Sequence, residues 1–288
     1  MVERSLTADG ALPVAVRRDQ PRKTLDLRYQ PGFGTVAVIC LMLLYAPILV
    51  MTIFSFNGGL YVTRWGGFGL NWYGTALRSE GFHHAALNTM KIAITATVVS
   101  TMVATAAALA TTRTARWRGQ MTSFIVINLP LMVPEIITAV ASLSFFALLA
   151  SVAHINFGLG NLILVHTVFC IPFAYMPIRA RLEDMDLTLE QAAADLYATP
   201  WQAFRRVTLP LLMPGISAGA ALAFITSFDD FTITQLVAGP GQTTLPLFIW
   251  DRTRIPLTPE INCMSTILLG VSIVFVTVSF LIARRRRA

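Results

Sequence analysis

Between two long apolar stretches of the chain stands RARLEDMDLTLEQAAADLYATPWQAFRRVTLPLLM, residues 179–213. Before it, Phe157–Ile178 contains no Asp, Glu, Lys or Arg; after it, the only charges in Leu211–Val237 are Asp229 and Asp230. A hydrocarbon core about 30 Å thick is crossed by roughly 20 apolar residues in a helix. The polar stretch is therefore a loop between two membrane crossings. Within it, Thr188 and Gln191 have the spacing of a capping box, and Ala192–Leu196 are good helix formers. Thr199 and Gln202 repeat the device, with Pro200 at the favoured first helical position. Two short helices with a bend near Tyr197 and Ala198 are predicted. Pro210 and Pro214 are expected to break the chain where it re-enters the bilayer. Helices this short are unstable alone in water, so they must dock on this protein's own helix ends or on another chain.

Outward from that loop, the same criterion marks four more spans: Gly34–Phe56, Ile92–Thr112, Met121–Val152 (with Glu135 its one charge) and Ile261–Ala283. Composition agrees: 55% of the 288 residues are apolar and 13% charged, against about 25% charged in soluble domains. A disordered chain, a collagen and an ordinary soluble enzyme are excluded, and the fold class is an all-α membrane protein of six transmembrane helices. Lys and Arg set its orientation. They crowd the N-terminal tail, the loop after the second span (Arg113, Arg116, Arg118), the loop after the fourth (Arg179, Arg181, Arg205, Arg206) and the end, Arg284–Arg287. The opposite face has only Arg64, Arg78, Arg252 and Arg254, with Lys91 at a boundary. Both termini are expected in the cytoplasm: a tail 1–30, a membrane domain 31–283 and a basic end 284–288. The net charge of +7 is thus a topology signal and a source of lipid-headgroup contacts; no nucleic-acid partner is expected. The first span is too long for a signal-peptide core and lacks a small-residue cleavage pattern after it, so it is expected to stay as an anchor.

Little chemistry is visible. A phosphate-binding loop needs Lys after Gly, and the two lysines follow Arg22 and Met90. Neither H-E-x-x-H nor G-x-S-x-G occurs. Cys40, Cys170 and Cys263 are scattered, without disulfide or metal spacing, and read as small core hydrophobes. The adjacent His83 and His84 read as an exposed loop end, and His166 as a packed, hydrogen-bonded residue. Trp72, Tyr73 and Trp250 read as an interfacial aromatic belt, with a ligand cage as the alternative. No enzymatic activity and no metal are expected.

The loop resembles the "EAA" loop of the membrane subunits of binding-protein-dependent ABC importers, roughly E-A-A, then a glycine, then I-x-L-P. Gln191-Ala192-Ala193 stand at the E-A-A positions, Tyr197 at the glycine, and Val207-Thr208-Leu209-Pro210 at I-x-L-P. Gln191 in place of the acid (with Glu190 adjacent) and Tyr197 in place of glycine are the departures. Tyr197 would cost about 1 kcal/mol if the left-handed geometry persists. The similarity runs over roughly 34–283 and is strongest toward the spermidine/putrescine permease branch: Tyr45-Ala46-Pro47-Ile48, Asn71-Trp72-Tyr73, Pro130–Ile137, Ser227–Phe231 with Gly239-Pro240-Gly241, and Pro259–Asn262. This resemblance implies a type I importer permease fold with a cytoplasmic coupling-helix loop, in a bacterial inner membrane. Its partners would be a second permease subunit, two cytoplasmic ATPases and an extracytoplasmic solute-binding protein. The chain itself would bind no cofactor, ATP being hydrolysed by its partners. The coupling set implied is Glu190, Gln191, Ala192, Ala193, Asp195, Tyr197, Thr199, Pro200 and Trp201. Permeases for an opine, a phosphonate or ferric ion share much of the pattern, and an autonomous secondary carrier is the other class to weigh.

Three acids fall inside spans. Glu135 lies fourteen residues after Met121 and Asp229 fourteen after Gly215, so at 1.5 Å per residue both would lie roughly 21 Å from the inner edge. A carboxylate at mid-membrane costs about 2.5–3.5 kcal/mol on insertion scales, so Glu135, Asp229 and Asp230 should face protein or water. They are candidate stations for a small multivalent cation. The alternative is structural: Lys91 pairing with one of them, or an Asp satisfying backbone at a helix break.

Overall fold

The computed structural model describes residues 33–114, 117–155, 157–254 and 258–285. The expected tail 1–30 and residues 286–288 of the basic end lie outside these. Two compact units divide the chain, Met1–Ile48 and Leu49–Ala288. The first contains most of helix α1 (Phe33–Phe54); Cys40 there is exposed rather than a core residue.

In the second unit the helices are α2 (Asn71–Arg78), α3 (Glu80–Thr112), α4 (Gln120–Met132), α5 (Glu135–Ala153), α6 (Leu159–Glu183), α7 (Thr188–Asp195), α8 (Pro200–Ala203), α9 (Leu209–Phe228), α10 (Thr232–Val237), α11 (Leu245–Arg252) and α12 (Glu260–Arg285). Counting α1, six helices among the described residues are long and apolar enough to cross a membrane.

The heart of this unit is α3, α6 and α9 packed on one another. Without a hydrophobic drive between helices in lipid, close approach of small side chains must hold them together. The sequence provides for this. Along α3 the buried face reads Ala93, Ala96, Thr97, Ser100, Thr101, Ala104, Ala108. On α9 a Cβ at Gly219 would meet the Ala174 carbonyl at 2.6 Å, so that contact admits glycine alone. Thr111 Oγ1 and Tyr175 Oη lie 2.9 Å apart, and Arg181 Nε donates to the Leu211 carbonyl at 3.0 Å, fastening the helix ends next to the polar loop.

Two expected spans differ from single helices. Met121–Val152 is two helices, α4 and α5, because Val133 (φ −88°, ψ 130°) and Pro134 (φ −53°, ψ 132°) are extended. Proline lacks the N–H and disfavours helical geometry in the residue before it. A depth counted from Met121 along one continuous helix therefore does not hold for Glu135. The fifth span ends at Phe228, and α10 restarts at Thr232. Conversely, Pro210 and Pro214 do not break the chain. Helix α8 passes through a π-turn, Phe204–Thr208, straight into α9. The wider turn, with the Leu209 N–H reaching the Phe204 carbonyl, absorbs the irregularity that two prolines impose.

Asn57 builds the loop after α1. Its amide donates to the Tyr61 and Arg64 carbonyls (both 2.9 Å) and accepts from the Gly59 and Gly66 N–H groups (3.0 and 2.8 Å). Trp72 donates to the Gly59 carbonyl at 2.9 Å, and Tyr73 Oη lies 2.7 Å from Ser55 Oγ. Trp72 and Tyr73 thus fasten this loop.

Candidate functional site

The two helix breaks inside the membrane are neighbours, since α10 packs on α5 and α6. Glu135 occupies the first turn of α5, where the helix N-terminus favours a negative charge. Asp229 caps the end of α9, its N–H bonded to the Ile225 carbonyl, and Asp230 follows in the break. Glu135 interacts electrostatically with Asp229, Asp230 and His166, so the structure brings the three carboxylates together.

Their surroundings separate them. Asp230 is 6% exposed and is the N-terminal cap of α10. Its Oδ1 accepts from the Ile233 N–H at 3.3 Å; its Oδ2 accepts from the Thr234 N–H at 3.0 Å and from Thr234 Oγ1 at 2.9 Å. His166 on α6 stands 3.4 Å from the same Oδ2, with its Nδ1 2.8 Å from Ser227 Oγ and its Nε2 3.3 Å from Thr234 Oγ1. Both carboxylate oxygens of Asp230 thus accept hydrogen bonds from within the chain. Asp229 by contrast is exposed, and Glu135 half-buried. Lys91 is exposed and makes no ion pair among the described residues. Two apolar grooves lie elsewhere, one of about 730 Å³ between α3, α9 and α12 and one of about 570 Å³ between α3 and α9; a third, of about 570 Å³, runs along the α4–α5 break past Val133 and Ile137, and no carboxylate lines any of the three. No cluster of metal-ligating side chains is found among the described residues. Ser227 and Thr234 went unread as Asp230's surroundings; the signal available was their spacing, three before and four after an acid in an apolar run.

The second candidate region is the polar loop, α7 to α8. Only one acidic side chain of α7 turns inward. Glu190 Oε1 accepts from Arg113 Nε at 3.2 Å, at the end of α3, and from Thr208 Oγ1 at 3.1 Å, in the π-turn. Gln191, Ala192, Ala194 and Asp195 are exposed, and Ala193 is half-buried. The helix start differs from the expected capping box. The Thr188 N–H donates to Asp186 Oδ1 at 2.9 Å, and no side chain caps from Leu187. An Asp two residues ahead makes its own turn more readily than a Thr reaches forward. That hydrogen bond holds the Asp186 carboxyl below its usual range. The Thr199–Gln202 box forms as expected, with both bonds present and Pro200 behind the cap. Between the two helices Tyr197 has φ 59°, left-handed backbone that costs a residue with a Cβ about 1 kcal/mol. Leu196, Tyr197 and Trp201 are 82%, 96% and 66% exposed. The residues expected to couple, Glu190, Gln191, Ala192, Ala193, Asp195, Tyr197, Thr199, Pro200 and Trp201, thus fall in one largely exposed segment, which Glu190 ties to Arg113 and Thr208.

Comparison with known proteins fits this geometry. Over 247 residues the chain is 38% identical to the putrescine transport system permease protein PotI of Escherichia coli K12, covering 85% of this chain and 88% of that one. It is 34% identical over 241 residues to the spermidine/putrescine transport system permease protein PotC of the same strain, covering 84% and 89%. A solved bacterial ABC transporter involved in import of the acidic polysaccharide alginate shares its fold, with a TM-score of 0.69 at 17% identity, over 88% of this chain and 94% of that one. Residues 100–285 match the family described as binding-protein-dependent transport system inner membrane component. This multi-pass chain belongs to that family of transport permeases.

Proposed function

We propose that this chain is the permease subunit of an ATP-driven, binding-protein-dependent importer of polyamines such as putrescine and spermidine. The observation that carries the solute class is its identity to PotI and PotC across more than four-fifths of its length. An exposed carboxylate, Asp229, next to Glu135 at a break inside the membrane supports it. A diamine carries a charge at each end, and a carboxylate at that depth must otherwise face lipid at a cost of about 2.5–3.5 kcal/mol. In this assembly Asp229 and Glu135 line a path completed by a second permease subunit, and Asp230 holds the break in shape.

The chain binds no cofactor, and ATP is hydrolysed by separate cytoplasmic subunits docked on α7 and α8. Both termini face the cytoplasm with them, as the crowding of arginine on that side favours. A solute-binding protein delivers polyamine at the opposite face. Closure of the ATPase pair moves α7, and Glu190 passes that motion to α3 through Arg113 and to α9 through Thr208.

The test is uptake of labelled putrescine by the complex reconstituted in vesicles, in competition with spermidine, an opine, a phosphonate and ferric ion. Competition by spermidine alone is expected; displacement by one of the others instead would reassign the solute. Uptake by this chain in vesicles without any ATPase would overturn the coupled mechanism. Ala193→Asp, which adds a third carboxylate to α7 between Glu190 and Asp195, is expected to abolish ATPase retention while leaving membrane insertion intact.

A further inference from the structure

Tyr197 combines two features that rarely coincide. Its backbone is left-handed, at φ 59°, where glycine fits without strain. Its side chain is 96% exposed, so the ring contributes no packing to the chain that bears that strain. Strain of this kind persists where surrounding structure over-determines it, and it clusters at binding and switch sites. The bend is over-determined here: the Tyr197 N–H donates to the Ala194 carbonyl at 2.9 Å and the Ala198 N–H to the Ala193 carbonyl at 3.0 Å, while the Thr199–Gln202 box fixes the chain just beyond. The ring is flanked by Leu196 and Trp201, both largely exposed.

We propose that Tyr197 is a specificity anchor, an aromatic plug that enters an apolar pocket on this permease's own ATPase and discriminates it from the ATPases of related importers. The inference rests on the proposed docking of the ATPase on α7 and α8, and it adds the residue that selects the partner. Exposed tyrosine and tryptophan are the side chains most often found carrying binding energy at the centre of an interface. A protein partner fits better than the lipid surface. Exposed acids (Glu183, Asp184, Asp186, Asp195) precede the bend and exposed Arg205 and Arg206 follow it, so the loop is not the basic cluster that an anionic inner leaflet attracts. A partner whose apolar pocket is rimmed by charges of both signs matches these side chains and the ring.

The experiment uses the full chain in nanodiscs with its cognate ATPase and, separately, the ATPase of a related importer. Wild type, Tyr197→Gly, Tyr197→Asn and Tyr197→Phe are compared for ATPase Kd and for unfolding temperature. Glycine and asparagine both tolerate left-handed backbone, so these variants are expected to unfold at or above the wild-type temperature. Even so, they should bind the cognate ATPase at least ten-fold more weakly and lose the preference over the related one, while Tyr197→Phe stays within about three-fold of wild type. Unchanged affinity and preference in Tyr197→Gly would overturn the anchor, leaving the docking itself standing. Failure of the wild-type chain to bind any ATPase would instead overturn the docking on which the anchor rests.

Discussion

Two of the chain's helix interruptions use superficially similar devices: the one at Asp229–Phe231 inside the membrane, and the one at Leu196–Thr199 in the polar loop. Their fates are opposite. At the inner break, Asp230 caps α10 with both oxygens, and His166, Ser227 and Thr234 close a ring of hydrogen bonds around it. At the outer bend, Leu196, Tyr197 and Trp201 point into solvent, and one acidic side chain, Glu190, ties the segment to the domain. The cause is the solvent. Lipid offers no hydrogen bonds, so an interruption there must be satisfied by the chain itself. Water satisfies the backbone of a loop for nothing, so its side chains are free to be shaped for a partner.

The sharpest way to break this contrast is Asp230→Ala. It removes the cap of α10 and strands a buried imidazole and hydroxyl, a loss of about 3 kcal/mol by the usual cost of breaking a buried hydrogen-bonded pair. Thermal unfolding in detergent should fall far enough to lower the yield of monodisperse protein. An unfolding temperature equal to wild type would mean that the inner break is not held by Asp230. Next in size is Gly219→Val. The new Cβ would stand 2.6 Å from the Ala174 carbonyl, and overpacking of this kind costs roughly 1–3 kcal/mol. It should lower the unfolding temperature without touching either break, which calibrates the Asp230 effect against an ordinary packing defect.

How much of this was legible in the residues follows the same division. The six spans, the polar loop and the second capping box could be read because each depends on local composition or on a spacing of three. The left-handed Tyr197 was legible as a departure from glycine. What stayed hidden depends on contacts far apart in sequence. Arg113 entered as a topology charge, and nothing in its neighbours announces Glu190, 77 residues on. The first capping box lost to Asp186 because two local hydrogen bonds competed and sequence does not rank them. The π-turn was missed for a related reason: Pro210 and Pro214 read as breakers, and a wider turn upstream removed the conflict. In the membrane, the count that put the three acids at one level fails at the Val133–Pro134 break; they meet because α10 packs on α5, and which of them the chain satisfies needed α6 in place.

At the outer bend, Glu190→Ala tests whether the single tie transmits force. The pair is partly exposed, with 25% of the Glu190 side chain and 16% of the Arg113 side chain accessible, so its loss should cost no more than about 1 kcal/mol. Uptake should drop several-fold more than ATPase binding does, because the handle remains but its link to α3 and α9 is gone. Equal losses of binding and uptake would mean that Glu190 shapes the docking surface and carries no motion.

Asp229→Asn should have the smallest structural effect and sharpens the comparison most finely, because Asp229 and Asp230 are adjacent and of one chemistry. Asp229 contributes a backbone cap to α9, which asparagine keeps, and among the described residues its carboxylate is in no ion pair. Stability should therefore stay within about 0.5 kcal/mol of wild type, as for substitutions away from packed or paired sites. Transport should not be spared. If the charge faces a path for a dication, its removal weakens one of few attractive stations, and putrescine uptake should fall roughly ten-fold, the equivalent of about 1.4 kcal/mol. The loss should be greater for putrescine than for a neutral solute of equal length. Uptake unchanged in both Asp229→Asn and the Glu135→Gln, Asp229→Asn double variant would assign these two acids to the assembly with the second subunit, and the break inside the membrane would then be scaffold throughout.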